Sequence, residues 1–206
     1  MGVMIALPCH GGIVNEKTTM SLFNLGKLLV RNSIPHGLLT QANSSLITHG
    51  RSKCANFFIN NTDHEYLFFL DSDIGFNPED VLKLLSHNEP IVSGTYPMKT
   101  IPIRYCVDVI EPEERKGDLL KVAGNGMGFV IIHRNVFTDI AQNFPDLKYI
   151  PSTKDSNYPP TEAEMNNSYH FFMEERLGDS FASEDKSFFH RARMSGYTHW
   201  LDTTIK

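Results

Sequence analysis

Residues 66–70 read Tyr-Leu-Phe-Phe-Leu, five large apolar side chains in a row. Successive side chains of an extended strand point to opposite faces, so this run needs cover on both. Strands of that kind belong to sheets with helices packed above and below them. The run stops at Asp71-Ser72-Asp73, two carboxylates separated by one residue. Carboxylates held that close repel each other unless a positive group stands between them.

The flanking sequence carries the same architecture. Residues 3–7 form a short apolar run closed by Pro8 and followed by Gly11-Gly12. Residues 17–31 place Met20, Leu22, Phe23, Leu25, Leu28 and Leu29 at helical spacing. Residues 35–40 read as a second strand and 41–49 as loop. Arg51 opens a helix over 51–59 that turns Cys54, Ala55, Phe57 and Phe58 inward. Asn77 is placed to cap the next helix and Pro78 to occupy its first position. Residues 91–95 are a further strand. Strand and helix thus alternate three times, which predicts an α/β fold with a mostly parallel, doubly wound sheet. Such sheets take ligands at the carboxyl ends of their strands. Pro8-Cys9-His10, Gln41-Ala42-Asn43 and Asp71-Ser72-Asp73 all fall at those ends, so three loops converge on one crevice.

The second half is less regular. Strands are expected at 103–109 and 119–122 around a charged turn. A flexible turn follows at 124–128, then a strand at 129–133 and a helix at 134–142. Residues 145–168, rich in Pro, Ser, Asn and Tyr, read as a long functional loop. A helix at 183–194 and a strand at 198–203 close the chain. No internal repeat or linker divides it, and 206 residues suffice for one domain with a sizeable core.

Composition narrows the function. The formal charge is −5 with no basic block, which argues against a nucleic-acid partner. Three dispersed cysteines, Cys9, Cys54 and Cys106, fit neither a disulfide framework nor a zinc knuckle and point to a reducing compartment. No apolar run has the length of a membrane span, and the first residues lack the charged start of a signal peptide. The expectation is a cytoplasmic protein.

Four features could carry chemistry. Carboxylate oxygens suit Mg2+ or Mn2+, so Asp71 and Asp73 are candidate metal ligands that would hold a diphosphate through the ion. A D-x-D recurs about once by chance in a chain this long, so its place at a strand end counts for more than the tripeptide. The plain alternative is a solvated turn. Ser183, Glu184 and Asp185 are ordinary helix-start residues, with the serine capping and the acids meeting the helix dipole, but a carboxylate beside the crevice could also act as general base. Arg51 could contact a base or a phosphate, or simply lie on the surface. Gly124, Gly126 and Gly128 let backbone approach a ligand closely, as an ordinary hairpin turn also would. His10, His190 and His199 lie where they could reach the crevice, though each fits an ordinary structural role.

Taken in order, "ALPCHGG", "SLITHGRSKCANFF", "YLFFLDSDIGFNPEDV", "IVSGTYPMK", "GNGMGFVIIHRNVF" and "SEDKSFFHRARMSGY" resemble the GT-A class of nucleotide-sugar glycosyltransferases along nearly the whole chain. They are most similar to viral members, including the N-terminal domains of multidomain enzymes. The resemblance implies a GT-A, Rossmann-like α/β/α sandwich. It further implies a metal-dependent hexosyl- or deoxyhexosyltransferase that uses a UDP-sugar, Mn2+ or Mg2+ and a glycan hydroxyl acceptor. By the same resemblance Pro8, Cys9 and His10 hold the uridine together with Asn43, and Arg51 reaches the uracil. Asp73 ligates the metal directly. Asp71 touches ribose or metal, with Ser72 between them, and Gly126 and Gly128 border the donor. Asp185, with Glu184 beside it, deprotonates the acceptor, which tilts the reading toward inversion. The class often adds a metal-binding histidine after the last strand; this sequence stops at Lys206, where that residue would come.

Three rivals remain open. A sugar-1-phosphate nucleotidyltransferase wants a basic glycine loop after the first strand, whereas CHGGIVNE holds no lysine or arginine before Lys17. A D-x-D-x-T phosphatase wants Thr or Val where Gly75 stands. A non-catalytic glycan-binding module would share the fold, since fold does not fix function.

Overall fold

The computed structural model of the protein describes residues 1–153 and 159–205. The first half follows the expected alternation: β1 (Val3–Cys9), α1 (Glu16–Arg31), β2 (His36–Ala42), α2 (Ile47–Asn61), β3 (Tyr66–Leu70), α3 (Pro78–Ser86) and β4 (Ile91–Ser93). The second half adds β5 (Val107–Val109), β6 (Arg115–Lys116), β7 (Leu119–Asn125), β8 (Phe129–His133) and α4 (Arg134–Asn143). It continues with β9 (Lys148–Tyr149), α5 (Glu162–Asn166), β10 (Ser168–Tyr169), β11 (Glu175–Leu177) and β12 (Ser180–Ala182). The last elements are α6 (Glu184–Met194) and β13 (His199–Asp202).

Among the described residues the main sheet has nine strands, in the order β2-β1-β3-β8-β4-β13-β7-β5, with β6 also on β7. β1 pairs in parallel with both β2 and β3, and β4 with β13. β8 is inserted antiparallel between β3 and β4, and β7 lies antiparallel to β13, so the sheet is mixed. Pro8 sits inside β1 rather than ending it. The β1–β3 ladder stops at the pair Ala6–Phe69, so one side of Pro8 carries no ladder partner, the setting in which a strand tolerates proline.

Alternation along the central strands fills two cores. Met4, Ala6, Leu67 and Phe69 face Phe58 of α2, Phe137 of α4 and Phe188 of α6. Val3, Ile5, Leu7, Phe68 and Leu70 face Leu25 and Leu29 of α1 and Leu84 of α3. Helices therefore cover both faces, giving the expected α/β/α sandwich. The first core is aromatic: the Phe172 and Phe188 rings stack at 4.7 Å, and Phe69 meets Phe172 edge-on at 5.3 Å.

Several expected boundaries shift. α2 begins at Ile47, so Arg51 lies a turn inside it rather than opening it. The strand expected at 103–109 keeps only Val107–Val109; upstream, Pro97 and Tyr105 form an isolated bridge. Gly124 and Asn125 belong to β7, and the turn is confined to 126–128. The stretch 145–168 is not one loop. It carries a 3-10 turn at Pro145–Leu147, a β9–β10 ladder, and α5, whose Thr161 and Glu164 form a reciprocal capping box. Residues 154–158 within it, and Lys206, lie outside the described residues. Asn77 stands at the N-cap of α3 but makes no side-chain capping bond.

Candidate active-site crevice

Asp71 and Asp73 follow the last residue of β3, between two walls. The 10–15 connection crosses beside them, with Asn15 N–H donating to Ser72 O at 2.8 Å. Asn15 then caps α1, its side chain accepting from Lys17 N–H at 2.9 Å. One wall of the resulting crevice is Glu16, Lys17 and Met20 of α1, and the other is Tyr96, Met98 and Lys99, with Asp71 and Asp73 between. Its volume is ≈ 740 Å³. Met20, one of the apolar residues at helical spacing along α1, is 55% exposed and lines this crevice.

The two carboxylates are held differently. Asp71 Oδ1 accepts from Arg51 Nη2 at 2.9 Å, and Arg51 Nη1 donates to Glu184 Oε1 at 2.8 Å. The guanidinium side chain is 6% exposed and ties α2, the end of β3 and the start of α6 together. Burial pushes the Glu184 carboxyl above its usual value, against the pull of Arg51 and with a further push from Asp185. Asp73 is 47% exposed and pairs with Lys99 Nζ, itself 84% exposed. The positive groups that the paired aspartates require thus come first from the chain itself, a buried guanidinium for one and an exposed ammonium for the other.

Gly126 and Gly128 are fixed by close approach. A Cβ on Gly128 would lie 2.5 Å from Asp71 Oδ2, and one on Gly126 would lie 2.3 Å from the Tyr96 hydroxyl. Gly128 O accepts from Asp71 N–H at 3.0 Å, and Gly128 N–H donates to the Tyr96 hydroxyl at 3.0 Å. Burial, followed by the nearby Asp71 charge, raises the Tyr96 phenol above its usual range, so it stays protonated.

The other expected residues divide. Pro8 and Cys9, the last two residues of β1, pair with Gln41 and Ala42 of β2. Cys9 is 3% exposed, His10 is exposed with Nδ1 3.4 Å from Ser44 O, and Asn43 turns the chain at φ 59°. They lie at the ends of β1 and β2 and do not line the crevice of Lys17 and Lys99. Glu184 joins that crevice only through Arg51. Asp185 Oδ1 accepts from Lys186 N–H at 2.7 Å and from the Ser183 hydroxyl, so Ser183 bonds the acid instead of capping the helix. His199 is buried at the start of β13, its ring stacked on Phe189 of α6 at 4.2 Å and its Nε2 2.8 Å from Ser93 Oγ. His190 Nδ1 contacts Glu175 Oε1 at 3.0 Å. Tyr96, Lys99 and Lys17 were not singled out as site residues; their signal was the run "TYPMK" directly after β4 and a lysine at the start of α1.

No group of three His, Cys, Asp or Glu side chains able to hold a metal occurs among the described residues. Mg2+-type ions keep several waters and are commonly held by one or two carboxylates plus ligand phosphates. Asp73, with Asp71 beside it, fits that requirement: a hard cation shared with a diphosphate, not a closed metal site. No helix among the described residues is long and apolar enough to cross a membrane.

No family profile matches the sequence. No curated protein matches it either. Among solved structures, A197 from STIV covers 100% of this chain with 84% of its own, at 21% identity and a TM-score of 0.54. That likeness is one of fold. A UDP-glucose pyrophosphorylase complexed with UDP-glucose covers 98% of the chain with 90% of its own, at 6% identity and TM-score 0.48. A glycosyltransferase involved in the glycosylation of the major capsid of PBCV-1 covers 80% with 72% of its own, at 13% identity and TM-score 0.36.

Proposed function

We propose that this protein is a metal-dependent glycosyltransferase that moves a hexose or deoxyhexose from a UDP-sugar to a glycan hydroxyl. One observation carries the reading: at the carboxyl end of β3, Asp71 and Asp73 face a crevice bordered by Lys17 and Lys99. Carboxylates plus ammonium groups in one cleft suit a nucleoside diphosphate bound with a hard cation. When bound, Mn2+ or Mg2+ supplies charge neutralisation for the departing diphosphate.

The chain's own residues have separable tasks. Arg51 fixes the Asp71 carboxylate and does not itself lie open to ligand, at 5% exposure. Tyr96 orients the 126–128 turn against Asp71. Pro8, Cys9, His10 and Asn43, at the ends of β1 and β2, hold the uridine. Asp185 is the base for the acceptor hydroxyl through Oδ2, its Oδ1 being held by Ser183 and Lys186 N–H, while Glu184 is engaged by Arg51.

One observation favours a second reading. Lys17, too late in the sequence for a nucleotidyltransferase loop, nevertheless lines the crevice with both aspartates. A sugar-1-phosphate nucleotidyltransferase would use such a lysine on a triphosphate.

The test is turnover of a panel of UDP-, GDP- and dTDP-sugars with Mn2+, Mg2+ or EDTA, read as released nucleotide, with Asp73→Ala alongside. Metal-dependent release from one UDP-sugar, lost in Asp73→Ala, supports the transferase. Pyrophosphate release from UTP and a sugar 1-phosphate selects the second reading. Absence of both, together with no metal-dependent nucleotide binding by calorimetry, leaves a binding module.

A further inference from the structure

The two halves of the Asp-Ser-Asp tripeptide are neutralised in opposite ways. Asp71 is locked by a buried guanidinium that also holds Glu184. Asp73 is met by an ammonium that is itself 84% exposed. Exposed ion pairs contribute little and exchange readily, whereas a buried pair cannot lose one partner without stranding the other. A guanidinium with two fixed carboxylate contacts is a strut; an ammonium on a four-carbon stem is a mobile point charge.

Lys99 is carried on a segment anchored at its base. Met98 N–H donates to Arg104 O at 2.7 Å, and Pro97 bridges Tyr105. The stem therefore emerges from a fixed place on the crevice wall, across from Lys17 on α1.

We propose that Lys99 is the site's exchangeable cation: it holds Asp73 while the crevice is without ligand, and turns to the diphosphate when a divalent ion takes Asp73. This inference rests on the nucleotide-sugar reading above. No covalent step is involved; one ion pair is exchanged for two. The arrangement keeps Asp73 from standing as a bare anion beside Asp71 before ligand arrives, and it delivers a positive charge to the leaving group at the moment the metal displaces it.

The proposal makes one substitution act with opposite signs. Lys99→Ala removes the competitor for Asp73, so Mn2+ alone binds up to about fivefold tighter. The same change removes a charge-assisted contact, so UDP in saturating Mn2+ binds about tenfold more weakly. Lys99→Arg restores UDP binding. The experiment is calorimetry of Mn2+ alone, and of UDP with Mn2+, on the wild type and both variants. Opposite shifts with rescue by arginine support the proposal. If the wild type binds both ligands and Lys99→Ala changes neither, weakens both, or is not rescued, the proposal is overturned while the nucleotide-sugar reading stands. If the wild type binds neither UDP nor Mn2+, that reading fails and the proposal fails with it.

Discussion

Arg51 joins two carboxylates that lie 20 and 133 positions away in the chain, Asp71 and Glu184. Replacing it with methionine keeps much of the buried volume and strands both acids. Removing one partner of a buried ion pair costs about 3–5 kcal/mol. Asp71 keeps 30% of its side-chain surface in water, so about 2–3 kcal/mol is expected here, read as a lower denaturant midpoint. Arg51→Lys rescues little, since one ammonium cannot repeat the two-armed geometry. Gly128→Ala tests the same carboxylate from the other side. Its Cβ would sit 2.5 Å from Asp71 Oδ2 and 2.7 Å from Ile74 Cδ1, so Asp71 must move. We expect nucleotide binding in Mn2+ to fall by more than tenfold with a smaller change in stability, measured by calorimetry and thermal melting. At this scale the sequence displays the carboxylates but hides their partners. A buried apolar strand that ends in Asp-Ser-Asp announces itself, whereas nothing near Arg51 marks it as a strut, because its second partner belongs to the far end of the chain. Lys99 is nearly as quiet: its position in TYPMK after β4 is its one mark, and nothing there shows that it reaches Asp73.

Elements that rely on their own burial periodicity were legible, and elements that rely on neighbours were not. β3 and β8 fall on the expected residues because runs of five and four consecutive apolar side chains need a two-faced strand. β9, β10, β11 and β12 are two or three residues long and are held as paired ladders, too short for any apolar alternation to show in the sequence. α6 is fixed by its aromatic face: Phe188 is fully buried against Phe137 and Phe172. Phe188→Ala is expected to cost about 3–5 kcal/mol, seen in equilibrium unfolding. β13 supplies a pH dependence. Burial, reinforced by the Arg193 charge, holds His199 down at about 3. The unfolded chain binds a proton there below about 6.5 while the folded one does not, so stability is complete above that pH and falls as acid is added. The slope is about 1.4 kcal/mol per pH unit down to the folded value. His199→Gln should flatten it between pH 6.5 and 5, measured by denaturant titration at each pH.

For the molecule as a whole, β13 is the keystone of the sheet order. It stands between β4 and β7 and has no substitute on either side. Its Asp202 is buried, yet Thr204, His87 and Lys83 outweigh that burial and hold the carboxyl at about 2, so it stays charged and ties α3 to the end of the sheet. Deleting residues 197–206 should abolish cooperative unfolding, followed by circular dichroism, rather than shave an edge. The closure of Arg51 on Glu184 adds a constraint in time. During synthesis the chain emerges from its amino end, and Asp71 and Asp73 are in hand long before residue 184 exists. Until α6 arrives, Arg51 has only Asp71 to hold, and the second arm of its guanidinium awaits its partner. Nascent chains shorter than about 190 residues should therefore carry the carboxylate pair without its finished geometry, at the slow pace of roughly 5–20 residues per second at which ribosomes deliver the remainder. Glu184, at the start of α6, acts as the clasp that completes the setting of Asp71.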